Sequence, residues 1–148
     1  MLEKLLHFKL EFAGEYTMKK LLLALVLFFV SASAMAEWAL VKEEDEYSVY
    51  ADFATIRKEG NKAKMWALYD YIRVQEVTGG KSASVKEQSE YDCKEKQRRL
   101  LAYSWFSKNM GLGNIVYTDS QPTKWRPITP KNAVDILWES ACGKQPGK

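Results

Sequence analysis

The sequence predicts a single α+β domain: an antiparallel sheet of about five to six strands, with one C-terminal helix packed on it and tethered by a disulfide. Three observations predict this. Between Trp38 and Tyr117, short alternating apolar and polar segments are separated by turn chemistry, as in antiparallel strands. After Thr129-Pro130 the apolar period becomes helical. Cys93 falls near the end of a strand-like segment and Cys142 in the last turn of the helical one.

The elements follow in order. Trp38 to Val41 is a short strand, and Glu43 to Glu46 an acidic turn. Tyr47 to Phe53 is a second strand with Tyr47, Val49 and Ala51 on one face. Lys58-Glu59-Gly60-Asn61 has hairpin chemistry. Lys64 to Arg73 is the longest alternating segment, with Met65, Ala67, Tyr69 and Tyr71 opposed to Lys64, Trp66, Leu68 and Asp70. Gly79-Gly80 turns the chain, and Ser82 to Cys93 and Arg98 to Phe106 are two further strands. A glycine-bearing loop, Asn109 to Asn114, leads into a last strand, Ile115 to Tyr117. Thr129 is the expected helix cap, with Pro130 in the first helical position. Val134, Leu137, Trp138 and Ala141 form the stripe that covers one sheet face, and Gly143 is the stop.

The N-terminal residues precede this domain. Met18-Lys19-Lys20 is a positive n-region, Leu21 to Val30 an unbroken apolar run, and Ala34-Met35-Ala36 a small-x-small cleavage pattern. Residues 18–36 are therefore expected to be a signal peptide cleaved between Ala36 and Glu37. The apolar run falls short of the roughly 20 residues that span a bilayer, and no lipid-attachment cysteine follows it. No stable membrane anchor is expected after cleavage. Residues 1–17 precede a complete signal peptide and are expected to be a mis-called upstream extension; the rival reading is an amphipathic helix with Leu2, Leu5, Leu6 and Leu10 on one face. Residues 37–148 then form the single exported domain, periplasmic or at the cell surface.

Composition narrows the function. The chain carries 22 Lys+Arg against 19 Asp+Glu, a formal net charge of +3, too weak a field to indicate a nucleic-acid partner. All five Trp follow residue 37, and such aromatic loading helps a small domain bury enough surface. The one histidine, His7, lies in the upstream extension. The mature chain thus has no Ser-His or Cys-His pair and no imidazole for zinc or haem. No catalytic residue, cofactor or metal is expected. In an oxidising compartment Cys93 and Cys142 are expected to pair. A redox role would call for a close Cys-x-x-Cys spacing, which is absent.

Three segments are candidates for binding. Lys94, Lys96, Arg98 and Arg99 form the densest basic cluster; they suit docking of an extracellular matrix protein or an acidic glycan, or simply a solvated edge that discourages aggregation. Glu43 to Glu46 lacks the spaced ligands and glycine of a calcium loop and is expected to be a solvated turn. Trp125-Arg126-Pro127 either exposes an aromatic or packs as a connector.

Several short motifs together carry a resemblance. They are Trp38, Tyr50-Ala51-Asp52, Ile56 before Gly60, Met65-Trp66-Ala67-Leu68, Ser82 to Lys86, Tyr91-Asp92-Cys93, Arg98-Arg99-Leu100-Leu101, Trp125 to Pro130, and Cys142. In this order the mature chain resembles the surface-adhesin protein E family of small exported bacterial domains. The resemblance implies an antiparallel sheet with a disulfide-tethered C-terminal helix, and adhesion to host matrix proteins; it supplies no catalytic residues. Against a binding module stand two alternatives: a periplasmic protein with another role, and a carboxylate-based hydrolase, which would need two facing carboxylates in a concave pocket.

Overall fold

The computed structural model describes residues 38–143. The expected signal peptide, its cleavage site and the expected upstream extension lie outside the described residues. Six strands form an antiparallel meander: β1 (Ala39–Glu43), β2 (Tyr47–Glu59), β3 (Lys62–Val77), β4 (Gly80–Asp92), β5 (Gln97–Phe106) and β6 (Ile115–Asp119). A two-residue strand, β7 (Arg126–Pro127), pairs with the start of β5. A short 3-10 turn, Asn109–Gly111, precedes β6, and one helix, α1 (Ala133–Cys142), closes the chain. The expected α+β sheet and helix are present.

Gly60 turns between β2 and β3 at φ 57°, in the left-handed region that glycine adopts without steric cost. Two long strands outrun their predicted ends because each contains a bulge. Residues 53–56 of β2 loop out opposite Met65, since Asp52 pairs with Trp66 and Arg57 with Lys64. Asp52 and Thr55 hold this bulge: Thr55 donates to the Asp52 carbonyl at 2.6 Å and accepts from the Trp66 N–H at 3.0 Å. Residues 71–74 of β3 do the same opposite Ala83. Such insertions break the period of two from which strands are read.

The helix starts later than Thr129-Pro130 suggests. Lys131 takes φ 68°, a left-handed conformation that a helix does not contain. Asn132 caps instead, its side chain accepting the Asp135 N–H at 2.8 Å. Gly143, at φ 82°, ends the helix as expected.

The core lies between α1 and one end of the sheet. Ala51, Ala63 and Ala67 are small enough to let the helix approach, and Leu137, Trp138 and Ala141 fill the space with Val49, Met65 and Tyr91. Cys93 and Cys142 are bonded, with Cα atoms 5.6 Å apart, so the helix end is fastened to the end of β4. The helix covers only this end. Farther along the same face, Tyr71, Tyr103 and Trp105 remain partly exposed.

Candidate functional site

The two sheet faces carry different chemistry, and strand alternation decides which residue goes where. The predicted basic cluster divides on this rule. Lys94 lies exposed in the turn after Cys93, its ammonium 3.9 Å from Glu95. Lys96 pairs with Asp135 of α1 at 2.8 Å and lies 4.9 Å from the Trp138 ring centroid. Arg98 and Arg99 are neighbours in β5, so they point to opposite faces. The expectation that all four form one solvated patch is corrected: three of them are engaged by carboxylates of other elements.

On the face opposite the helix, one rung crosses four strands: Arg57, Lys64, Glu90 and Arg99. Arg99 holds Glu90 at 2.6 Å, and Lys64 stands 3.8 Å from the same carboxylate. The next rung contains Lys62, paired with Asp92 at 3.0 Å. Trp125 lies over this array. Lys62 Nζ is 4.3 Å and Arg99 Cζ 4.7 Å from the centroid of its ring, an arrangement in which the ring's negative faces attract cations. Trp125 is thus both a connector and a partly exposed aromatic. Thr123 holds the preceding segment to the β5 edge, its N–H donating to the Leu100 carbonyl at 2.9 Å. Arg57, Lys58, Lys62 and Lys64 line a shallow cavity of about 210 Å³ with Glu59 and Glu90. Arg126, next to Trp125 in the chain, is exposed.

On the helix-bearing face, beyond α1, an aromatic groove of about 480 Å³ is lined by Tyr69, Tyr71, Tyr103 and Trp105, with Val85, Leu100, Thr123 and Val134. Tyr71 and Trp105 stack at 5.8 Å with 25° between planes. At its floor Glu87 of β4 meets Arg98 of β5, both largely withdrawn from solvent. Arg98 reaches this carboxylate along the strand, past Ser89, to which its Nε donates at 2.9 Å. Burial pushes the Glu87 carboxyl up from its ordinary range, against the opposing effects of Arg98 and the Tyr69 hydroxyl. Burial opposes the Arg98 charge, but Glu87 and nearby phenols outweigh it and raise the guanidinium's proton affinity. Sequence reading missed this pair because its contact depends on the register of two strands.

The hydrolase alternative requires two facing carboxylates. The groove's lining has one carboxylate, matched by a guanidinium. The cavity on the other face holds two, Glu59 and Glu90, among four cations, and Glu90 is matched by Arg99 and Lys64. Glu43 to Glu46 forms the end of β1 and the turn into β2. Among the described residues no cluster of His, Cys, Asp and Glu is arranged to hold a metal, and no helix is long and apolar enough to cross a membrane.

Comparison with known proteins agrees with this architecture. The family model for surface-adhesin protein E matches residues 38–143. Crystal form II of Haemophilus influenzae protein E is similar at a TM-score of 0.54 and 12% identity, over 70% of this chain and 91% of that one. The selenomethionine form of protein E from the same organism gives a TM-score of 0.54 at 14% identity, over 72% and 94% of the two chains. No curated protein sequence matches the chain.

Proposed function

The chain belongs to the surface-adhesin protein E family, and on that premise we propose that it acts outside the cytoplasm as a binding module for acidic macromolecules. Residues 37–148 are the working domain, released by cleavage after Ala36. The ligand class is a matrix protein or a sulfated glycan, and the docking surface is the basic face around Trp125.

The observation that carries this reading is the flanking of Trp125 by Lys62 and Arg99 on an open strand face. Arg57 and Lys64 extend that face across neighbouring strands. Of the predicted cluster, Arg99 belongs to this face; Lys96 and Arg98 serve the helix and the opposite face. Carboxylates at Glu90 and Asp92 neutralise part of the charge and fix the side chains. The remaining cations speed encounter with an anionic partner, and the tryptophan supplies contact area once it docks.

Export is supported by the signal-peptide pattern and by a disulfide, a bond kept in oxidising compartments. Fractionation of the native cell, with mass spectrometry of the N-terminus, tests localisation. A species beginning at Glu37 outside the cytoplasm is expected, and a purely periplasmic protein would remove the adhesin role. Retention of the purified protein on immobilised heparin tests the ligand class. Retention at low salt, lost as salt rises, is expected, and flow-through at low salt contradicts the reading.

A further inference from the structure

We propose that the aromatic groove on the helix-bearing face is a second binding site, for a neutral sugar ring of a glycan. It is distinct from the basic face, because Arg98 and Arg99 direct the two sites to opposite sides of the sheet.

Shape is the first argument. The groove's volume of about 480 Å³ accommodates one or two sugar rings rather than a folded partner. Its walls are flat: Trp105 stacks on Tyr71, and Tyr103 stands on the same strand face two residues away. Aromatic faces of this kind receive the C–H face of a pyranose, which is apolar and equally flat.

Charge is the second argument, and it selects among ligands. Glu87 would attract a cation into an aromatic box, but Arg98 cancels it. Arg98 would attract an anion, but Glu87 cancels that. A neutral ligand pays neither penalty, while the pair still offers hydrogen bonds. The guanidinium has five N–H donors; two bind Ser89 and Glu87, leaving others for a ligand. The carboxylate keeps acceptor sites beyond the one Arg98 takes. A donor group beside an acceptor group matches adjacent hydroxyls, each of which can accept from one and donate to the other. A purely apolar ligand would leave both groups without compensation on desolvation.

Thr123 frames the rim and is fixed in place, its Oγ1 accepting the Leu100 N–H at 3.0 Å. The site is therefore built on strands and a pinned edge rather than on a free loop, which limits the ordering cost of binding weak, flexible sugars.

The test is an array of neutral galactose, mannose and N-acetylglucosamine oligomers beside their sulfated counterparts, with choline as a cationic control. Binding to at least one neutral oligomer is expected, located by chemical-shift changes at Tyr103 and Trp105. Trp105→Ala should weaken it by roughly tenfold or more, as loss of a central aromatic anchor does. Tyr103→Ala, at the exposed rim, is the companion variant should Trp105→Ala fail to fold. Neither should change retention on heparin, and Lys62→Gln/Lys64→Gln should not change neutral-sugar binding; this separates failure of one site from failure of the other. No neutral oligomer bound at millimolar concentration, binding confined to sulfated oligomers or to choline, or unchanged binding by a folded Tyr103→Ala and Trp105→Ala would each overturn the proposal.

Discussion

Trp138 of α1 donates its indole N–H to the main-chain carbonyl of Asp92 at 3.0 Å, one residue before the half-cystine Cys93. The helix is thus held to the end of β4 at two adjacent points, a hydrogen bond and a covalent bond. Asp92 is itself fixed. Its carboxylate accepts the N–H groups of Lys94 and Glu95 at 3.0 and 2.9 Å, and Lys62 reaches it from β3.

The disulfide closes a chain separation of 49 residues. Replacing Cys93 and Cys142 together by serine should lower stability by about 4 kcal/mol, the entropy a loop of that length regains when unfolded. Trp138→Phe should cost less, about 1–3 kcal/mol, because it removes the indole donor from the Asp92 carbonyl and leaves only a small cavity in the core. Urea melts of the three proteins check the ranking, and free-thiol titration of the denatured, unreduced wild type should find no reactive thiol.

Arg98 and Glu87 make a second test of the interior. Arg98→Met should destabilise by about 3–5 kcal/mol, because it leaves Glu87 buried without its counter-charge. Glu87→Gln on top of it should recover much of that loss. The sign of the pH effect follows from the raised Glu87 pKa. The folded state then holds the proton more tightly than the unfolded one, so the deficit of Arg98→Met should shrink as pH falls. A deficit that grows toward acid would show that Glu87 is not the stranded group.

Alkaline titration reports the tyrosines. Burial pushes Tyr91 up to about 12 and Tyr69 well above its ordinary value, with Tyr71 raised less deeply within the groove. Ultraviolet absorbance of the native protein should therefore show exposed phenols ionising first and these later. Because the folded state retains these protons, their contribution to stability is present below pH 10 and declines as pH rises through the raised values, about 12 for Tyr91. A single titration step for all tyrosines, with no loss of structure, would contradict the buried placement.

Much of the fold was legible because its strands obey a period of two. Alternation puts Val49, Ala51, Met65 and Ala67 on one face, and that face is the core. What was hidden depended on register. The bulges at residues 53–56 and 71–74 interrupt the alternation, so β2 and β3 run past their predicted ends. The strand β7 is two residues long and contains Pro127, which leaves no pattern to read. The basic cluster misled because a run of cations looks like one patch in sequence. A turn followed by a strand sends Lys96 to the helix, Arg98 inward and Arg99 to the opposite face. Glu87 lies 11 residues from Arg98, and only the pairing of β4 with β5 brings them together.

The basic face around Trp125 is tested most directly by the salt dependence of heparin binding, compared between the wild type and Arg57→Gln/Lys62→Gln/Lys64→Gln. Arg99 is left in place because it holds the buried Glu90 carboxylate. The three substituted cations are exposed or partly so; Glu90 keeps Arg99, and Asp92 keeps the N–H groups of Lys94 and Glu95, so the variant should fold. Exposed charges act over the roughly 8–10 Å that salt allows at physiological strength. The wild type should bind tightly at low salt, the variant several-fold more weakly and with a shallower salt dependence. Equal affinity and equal salt dependence in the two folded proteins would contradict it.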